Sequence, residues 1–162
     1  EYTNRTTEDG WQNVLTLARE LSLKDGIVCQ NPVRELSSWW NEEVSFEGQY
    51  TGNTDICYEL NLKNTEKKWE VLIEGGLKLS WSPEEYVFRM EFTDGKLGCG
   101  RGLRAREIKA CKDIRIVVDA SCVEVFMNGG KDVFSTRFYP EKDQYTVKAS
   151  GDGLTGSYRY RV

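Results

Sequence analysis

The stretch "IRIVVDASCVEVFMNGGKDVFSTRFYP", residues 114–140, decides the fold. Ile114, Ile116 and Val118 recur at every second position, the period that puts side chains on one face of a strand. After a turn at Asp119–Ser121, Val123, Val125 and Met127 repeat the pattern. Asn128-Gly129-Gly130 then predicts a tight hairpin, because the central residues of such turns need φ > 0. Val133–Tyr139 supplies a third strand, and Pro140, which lacks an N–H, stops it. Three strands in this order make an antiparallel meander.

Working outward, the same alternation recurs in short runs. It predicts strands at Val14–Leu17 and Glu20–Leu23, followed by a turn at Lys24–Gly26. Ile56, Tyr58, Leu60 and Leu62 share one face of a further strand. The run Trp69–Trp81 divides into two strands at Gly75-Gly76, and Tyr86–Phe92 alternates again before a turn at Thr93–Gly95. Gln144–Ala149 and Gly156–Val162 supply the last strands, and Pro32–Glu43 is the one segment suited to a short helix. Many short strands without a βαβ rhythm indicate an all-β fold, a two-sheet antiparallel sandwich or a barrel.

The chain has 162 residues, the size of one domain, and such a domain buries roughly 70% of its unfolded surface. A net charge of −4 gives no basic surface for nucleic acid or an anionic membrane. No apolar run approaches the roughly 18 residues of a membrane span, and Glu1–Gly10 is too polar for a signal peptide. The five cysteines (Cys29, Cys57, Cys99, Cys111, Cys122) include no CxxC pair. Their odd number leaves at least one thiol unpaired unless it bonds another chain, which leans towards a reducing, cytoplasmic setting, and the lack of close pairs of ligands argues against structural zinc. The sequence contains 0 histidines, which excludes Ser-His-Asp and Cys-His catalysis and any histidine-ligated metal.

The remaining chemical candidates read better as structure. "GCGRGLR" (Gly98–Arg104) resembles a phosphate loop only in its glycines; it lacks the Lys-Ser/Thr of a P-loop, and no helix is predicted there, so it reads as a flexible or bulged connection. The adjacent pairs Glu42-Glu43 and Glu84-Glu85 do not supply the separation that glycosidase carboxylates need, and solvated charge is the simpler reading. Asp25, Asp94 and Asp152 each stand alone before a glycine, as turn residues do, whereas calcium ligands cluster. Asn4–Thr6 is a formal glycosylation triplet. Trp39 and Trp40 cannot both enter one core from an extended backbone, so one of them is expected on a surface that a partner covers. No cofactor-binding, metal-binding or catalytic residue is indicated.

Two stretches carry a resemblance. "GWQNVLTLARELSL" (Gly10–Leu23) resembles the segment that opens the C-terminal β-sandwich of glycoside hydrolase family 32, with Ala18 where the family usually has proline. "VDASCVEVFMNGGKDVFSTRFYP" (Val118–Pro140) is similar to that family's V-D-x-S-x-V-E-V-F-x-N-x-G run and its F-S/T-x-R-x-F/Y-P ending. "NPVRELSSW" (Asn31–Trp39) lies between them, like the family's P-V-x-E-L. The stretch Phe88–Ile108 departs from the pattern, with "GKLGCGRGLRARE" where a D-R-S-x-S-G-like strand end is common.

The resemblance implies a jelly-roll-like sandwich over residues 11–162, with residues 1–10 as the exit from a preceding five-bladed β-propeller. In the family that propeller holds the three catalytic carboxylates, in N-D-P, R-D-P and E-C contexts. The three prolines here follow Asn31, Ser82 and Tyr139, and no glutamate precedes a cysteine, so no catalytic residue carries over. The implied parent is a β-fructosidase acting on sucrose, its 6-phosphate or a fructan, and this domain alone is expected to be inactive. Its expected partner is the propeller of the same chain, with a homodimer contact and weak carbohydrate binding as further candidates. The implied interdomain interface is Trp11, Arg19, Glu20, Trp39 and Trp40. A carbohydrate-binding module is the alternative function, since five Trp and eight Tyr are available for stacking on sugars.

Overall fold

The structure is a computed structural model that describes residues 13–54, 57–141 and 145–161. It contains a hairpin of β1 (Arg19–Lys24) and β2 (Ile27–Pro32), then a 3-10 helix over Arg34–Trp39. There follow β3 (Val44–Thr54), β4 (Cys57–Lys63), β5 (Trp69–Ile73), β6 (Leu77–Ser82) and β7 (Val87–Phe92). After one helical turn, α1 (Gly95–Gly98), come β8 (Leu103–Glu107), β9 (Asp113–Asp119), β10 (Cys122–Met127), β11 (Asp132–Arg137) and β12 (Tyr145–Tyr160).

The meander forms as its alternation demands: Val125 pairs with Ile116 on one side and Phe134 on the other. These strands continue through β4 into the second half of β12, forming layer one in the order β11-β10-β9-β4-β12. The first half of β12 instead pairs with β5 and leads into β6, β7 and β8, forming layer two. β12 is therefore a single strand that passes from one layer to the other, and β3 runs antiparallel beside both halves. The register shift between Ser150 and Thr155 lets it turn the corner, since bulged strands bend. The two strands expected at Gln144–Ala149 and Gly156–Val162 are thus one. The strand expected at Val14–Leu17 is not formed, and β1 begins only at Arg19. A strand nevertheless forms at Leu103–Glu107, inside the "GKLGCGRGLRARE" stretch, and the helical turn over Gly95–Gly98 was not expected either.

Between the layers lies one core. Layer one contributes Tyr58, Leu60, Ile114, Ile116, Val123 and Val125; layer two contributes Trp69, Val71, Leu79, Trp81, Phe88 and Met90. The Phe88 ring meets that of Phe134 across the layers at 4.5 Å. At the side where β8 and β11 come together no ladder closes the sheet. Arg104 Nη1 donates to the Ser135 carbonyl at 3.2 Å and Arg106 pairs with Asp132 at 3.4 Å. Side chains therefore seal this side, and the architecture is an open antiparallel sandwich rather than a closed barrel.

The turn at Asn128–Gly130 also seats the β1–β2 hairpin. Gly130 has φ +87°, and a Cβ there would lie 2.1 Å from the Gln30 carbonyl oxygen on β2. At Gly129 (φ +66°) a Cβ meets nothing within 4 Å. Gly129→Ala is expected to cost about 1 kcal/mol, the left-handed penalty alone. Gly130→Ala should cost at least about 2 kcal/mol, because backbone must also move. Urea unfolding of the two variants, compared with wild type, checks the ranking.

Candidate functional site

A strand that alternates in and out should give its second set of side chains to water, yet layer one does not. On its outer face Glu59 is 0% exposed and Glu124 is 2% exposed. The cross-strand register explains their neighbours. Arg159, Glu59, Val117, Glu124 and Ser135 lie side by side in one row across β12, β4, β9, β10 and β11. The adjacent row is Ser157, Asn61, Arg115, Phe126 and Val133.

Buried carboxylates need charged or hydrogen-bonding partners, and both have them. Glu59 Oε1 accepts from Arg159 Nε at 2.8 Å, Arg159 Nη2 at 2.6 Å and Asn61 Nδ2 at 2.7 Å. Its Oε2 accepts from Arg115 Nε at 2.5 Å and from Arg115 Nη2. Glu124 holds the chain that arrives from the N-terminal side. Its Oε1 accepts the Leu17 backbone N–H at 2.6 Å, and its Oε2 accepts from Arg19 Nη2 at 2.5 Å. Arg19 also donates to Ser135 Oγ at 2.9 Å and to Gln30 Oε1 at 3.0 Å, with its guanidinium 5.4 Å from the Phe126 ring centre. A second, small apolar cluster of Leu36, Val117 and Phe126, packed by Leu17, Trp40 and Val133, fills the space beside these pairs. The Leu17 N–H bonds a side-chain carboxylate instead of a neighbouring strand.

Of the interface residues expected from sequence, Arg19 is thus an internal strut as well as a neighbour of the incoming chain. Trp11 lies outside the described residues, as does the Asn4–Thr6 triplet. Glu20 is a half-buried residue paired with Arg34 at 2.7 Å, and the hydrogen bond from that guanidinium holds its carboxyl below the usual range. The two tryptophans diverge as expected: Trp40 packs on the small outer cluster, while Trp39 is 52% exposed with the Arg161 guanidinium 5.1 Å from its ring centre. The backbone there is not a simple strand, however, since Trp39 ends the 3-10 helix and Trp40 follows in extended conformation.

The other carboxylates fit the structural reading. Glu85 pairs with Arg89, Glu84 accepts from Ser82, and Asp152 pairs with Lys67 on the surface. Asp94 accepts from the Lys96 N–H and so caps α1, while Asp25 sits in the β1–β2 turn with φ 52°. Among the described residues no group of three or more Cys, Asp or Glu is placed to hold a metal ion. The five cysteines are free thiols. Burial pushes the Cys57, Cys111 and Cys122 thiols up to about 11, so they stay protonated and poorly nucleophilic at neutral pH.

Burial of a carboxylate pair on a sheet's outer face was not readable from Glu124 itself, which alternates with Val123 and Val125 as a solvent-facing residue would. Glu59 in "YELNL" gave no sign either, because a glutamate between apolar residues normally marks the wet face of a strand.

Several known proteins resemble this chain. The model of "Glycosyl hydrolases family 32 C terminal" matches residues 76–159. A sucrose-6-phosphate hydrolase of Vibrio alginolyticus is 33% identical over 137 residues, covering 80% of this chain and 28% of that protein. One from Bacillus subtilis (strain 168) is 27% identical over 164 residues, covering 94% of this chain and 34% of that protein. The chain therefore spans about a third of the length of these curated relatives. Among solved structures, a GH32 beta-fructofuranosidase of Bombyx mori superposes with a TM-score of 0.81 at 27% identity, over 100% of this chain and 36% of that one. The sucrose-6-phosphate hydrolase from Lactobacillus gasseri gives 0.86 at 18% identity, over the same 100% and 36%, a likeness in fold.

Two outcomes follow from this geometry. Glu59→Gln leaves two guanidiniums without their counter-charge and should cost roughly 3 kcal/mol in urea unfolding. Cys57, Cys111 and Cys122 have folded pKa values raised above the ordinary thiol value of 9.0, so their contribution to stability is full below about pH 9 and is lost as pH rises towards about 11. Melting temperatures under reducing conditions should therefore fall across that window, and Cys57→Ser together with Cys122→Ser should flatten the fall.

Proposed function

Because the chain belongs to the C-terminal domain family of glycosyl hydrolases family 32, we propose that it is the non-catalytic sandwich of a β-fructosidase. The parent would hydrolyse terminal β-fructosides, with sucrose 6-phosphate as the first choice of substrate and sucrose or a fructan behind it. The family match over residues 76–159, in a chain about a third as long as its curated relatives, carries this reading. The names of the relatives favour the phosphorylated disaccharide.

Chemistry supports placing catalysis outside this domain. Retaining glycosidases need two carboxyls about 5–5.5 Å apart that flank a sugar, one of them able to give up a proton. Glu59 and Glu124 are closed off from solvent and committed to arginine partners, so neither can flank a substrate. The work of the sandwich is then structural, bracing the catalytic domain that precedes it. Its docking residues are sought on the β1–β2 hairpin and beside it, where Leu21 is 69%, Leu23 is 74% and Val28 is 57% exposed, and at Trp39. On a two-stranded hairpin such residues favour a covering partner.

The full-length parent should release fructose from sucrose 6-phosphate or sucrose, and the 162-residue chain none. Leu21→Ser with Trp39→Ala should lower the melting temperature of the full-length protein and leave that of the isolated chain unchanged. Equal loss in both would assign these residues to the fold of the sandwich. The exposed Trp39 ring also allows the carbohydrate-binding reading. Titration of the isolated chain with levan, inulin and fructo-oligosaccharides, followed by tryptophan fluorescence, separates the two: a silent titration is expected for a purely structural domain. A concentration-dependent dimer of the isolated chain that Leu21→Ser abolishes would assign the hairpin to a homodimer contact instead.

A further inference from the structure

The Arg115–Glu59–Arg159 cluster has more donors than Glu59 can use. Each arginine meets the carboxylate through its Nε and Nη2 edge. Neither Nη1 donates to an acceptor among the described residues, and the side chains remain 27% and 23% exposed. The cluster as a whole carries one net positive charge, since two guanidiniums share one carboxylate. Beside it, on the same outer face, a groove of about 450 Å³ is lined by Glu43, Ser45, Glu47, Asn61, Lys63 and Ser157.

We propose that this face of layer one docks against the preceding part of the parent chain, and that Arg115 and Arg159 take an acidic side chain from it through their Nη1 atoms. The proposal rests on the parent suggested above and names the contact within it. Three observations favour that occupant. The chain arriving from the N-terminal side lies on this same face: Glu124, which holds Leu17 and Arg19, stands in one cross-strand row with Glu59 and Arg159. About two thirds of the length of the curated relatives lies outside the region matched here, enough to supply a covering domain. Finally, the charge is mixed. A carboxylate from a protein surface satisfies the two guanidiniums while neighbouring groups of that surface answer Glu43, Glu47 and Lys63. A free phosphate would face Glu43 and Glu47 unaided. On the outer face of layer two, by contrast, Lys78 and Glu70, and Arg89 and Glu85, satisfy one another. Arginine suits the role because its planar fork keeps a second edge for another oxyanion after the first is filled.

Arginine-selective labelling with p-hydroxyphenylglyoxal, read residue by residue by mass spectrometry, tests the contact. Arg89, 32% exposed on the opposite face, serves as the internal control. The isolated chain should be labelled at Arg115, Arg159 and Arg89; the full-length parent should lose labelling at Arg115 and Arg159 while Arg89 stays unchanged. Equal labelling of Arg115 and Arg159 in both proteins overturns the proposal, and so does an isolated chain in which neither reacts. Protection of the isolated chain by inorganic phosphate also overturns it, in favour of a small-anion site. Fructose release measured on the same full-length sample keeps the two readings apart. Protection without activity upholds the docking face and removes the β-fructosidase reading; activity without protection does the reverse. Arg159→Lys, which retains a cation for Glu59 but not the second edge, should restore labelling at Arg115 in the parent.

Discussion

Burial of two carboxylates on the outer face of layer one is the constraint on which the rest of the molecule depends. A sheet in a sandwich needs to bury only its inner face, and the outer face ordinarily costs nothing to leave wet. Here Glu59 and Glu124 are sealed in, so each must be met by a guanidinium, and those guanidiniums come from far along the sequence: Arg19 for Glu124, Arg115 and Arg159 for Glu59. The pairs tie the first and last described parts of the chain to the central strands. They also make the second apolar layer of Leu36, Val117 and Phe126 necessary, because a charged pair without packed neighbours would admit water.

The second constraint is β12. One strand passing through both layers makes the two halves of the sandwich a single hydrogen-bonded unit, with β3 alongside as its brace. Layer one, carrying the carboxylates, is thereby held in fixed relation to layer two, whose outer face carries surface ion pairs such as Lys78–Glu70 and Arg89–Glu85. The two outer faces therefore differ: layer one buries Glu59 and Glu124 on its own, while layer two carries exposed ion pairs. That asymmetry links the fold to the functional reading: a bracing domain needs a single, oriented contact surface.

The sequence revealed most clearly what depends on local pattern. The β9–β11 meander was legible because its alternation and its Asn-Gly-Gly turn agree. The strands β4 to β7 were legible for the same reason. β3 was missed: "VSFEGQYTGNT" is rich in small and polar residues, and it becomes a strand because β12 offers a partner along its length. The continuity of β12 was hidden by "SGDG" (Ser150–Gly153), which reads as a loop between strands and acts as a bulge within one. At the candidate site, Arg19 was singled out through the "LARELSL" resemblance, but its partner Glu124 was not. Alternation predicts that both glutamates face solvent, and only the packing of distant segments reverses that. The outward-facing Val117 and Phe126 in the same rows were the available hint of a covering layer.

The most direct test is the coupling between Arg19 and Glu124, measured by a double-mutant cycle with Arg19→Met and Glu124→Gln in urea unfolding of the isolated chain. If this pair fastens the incoming chain to layer one, the two substitutions should be strongly non-additive, with a coupling of about 2 kcal/mol. Additive effects, within about 0.3–0.5 kcal/mol, would mean that the N-terminal segment is held by something else and that the outer face is not organised by its buried charges.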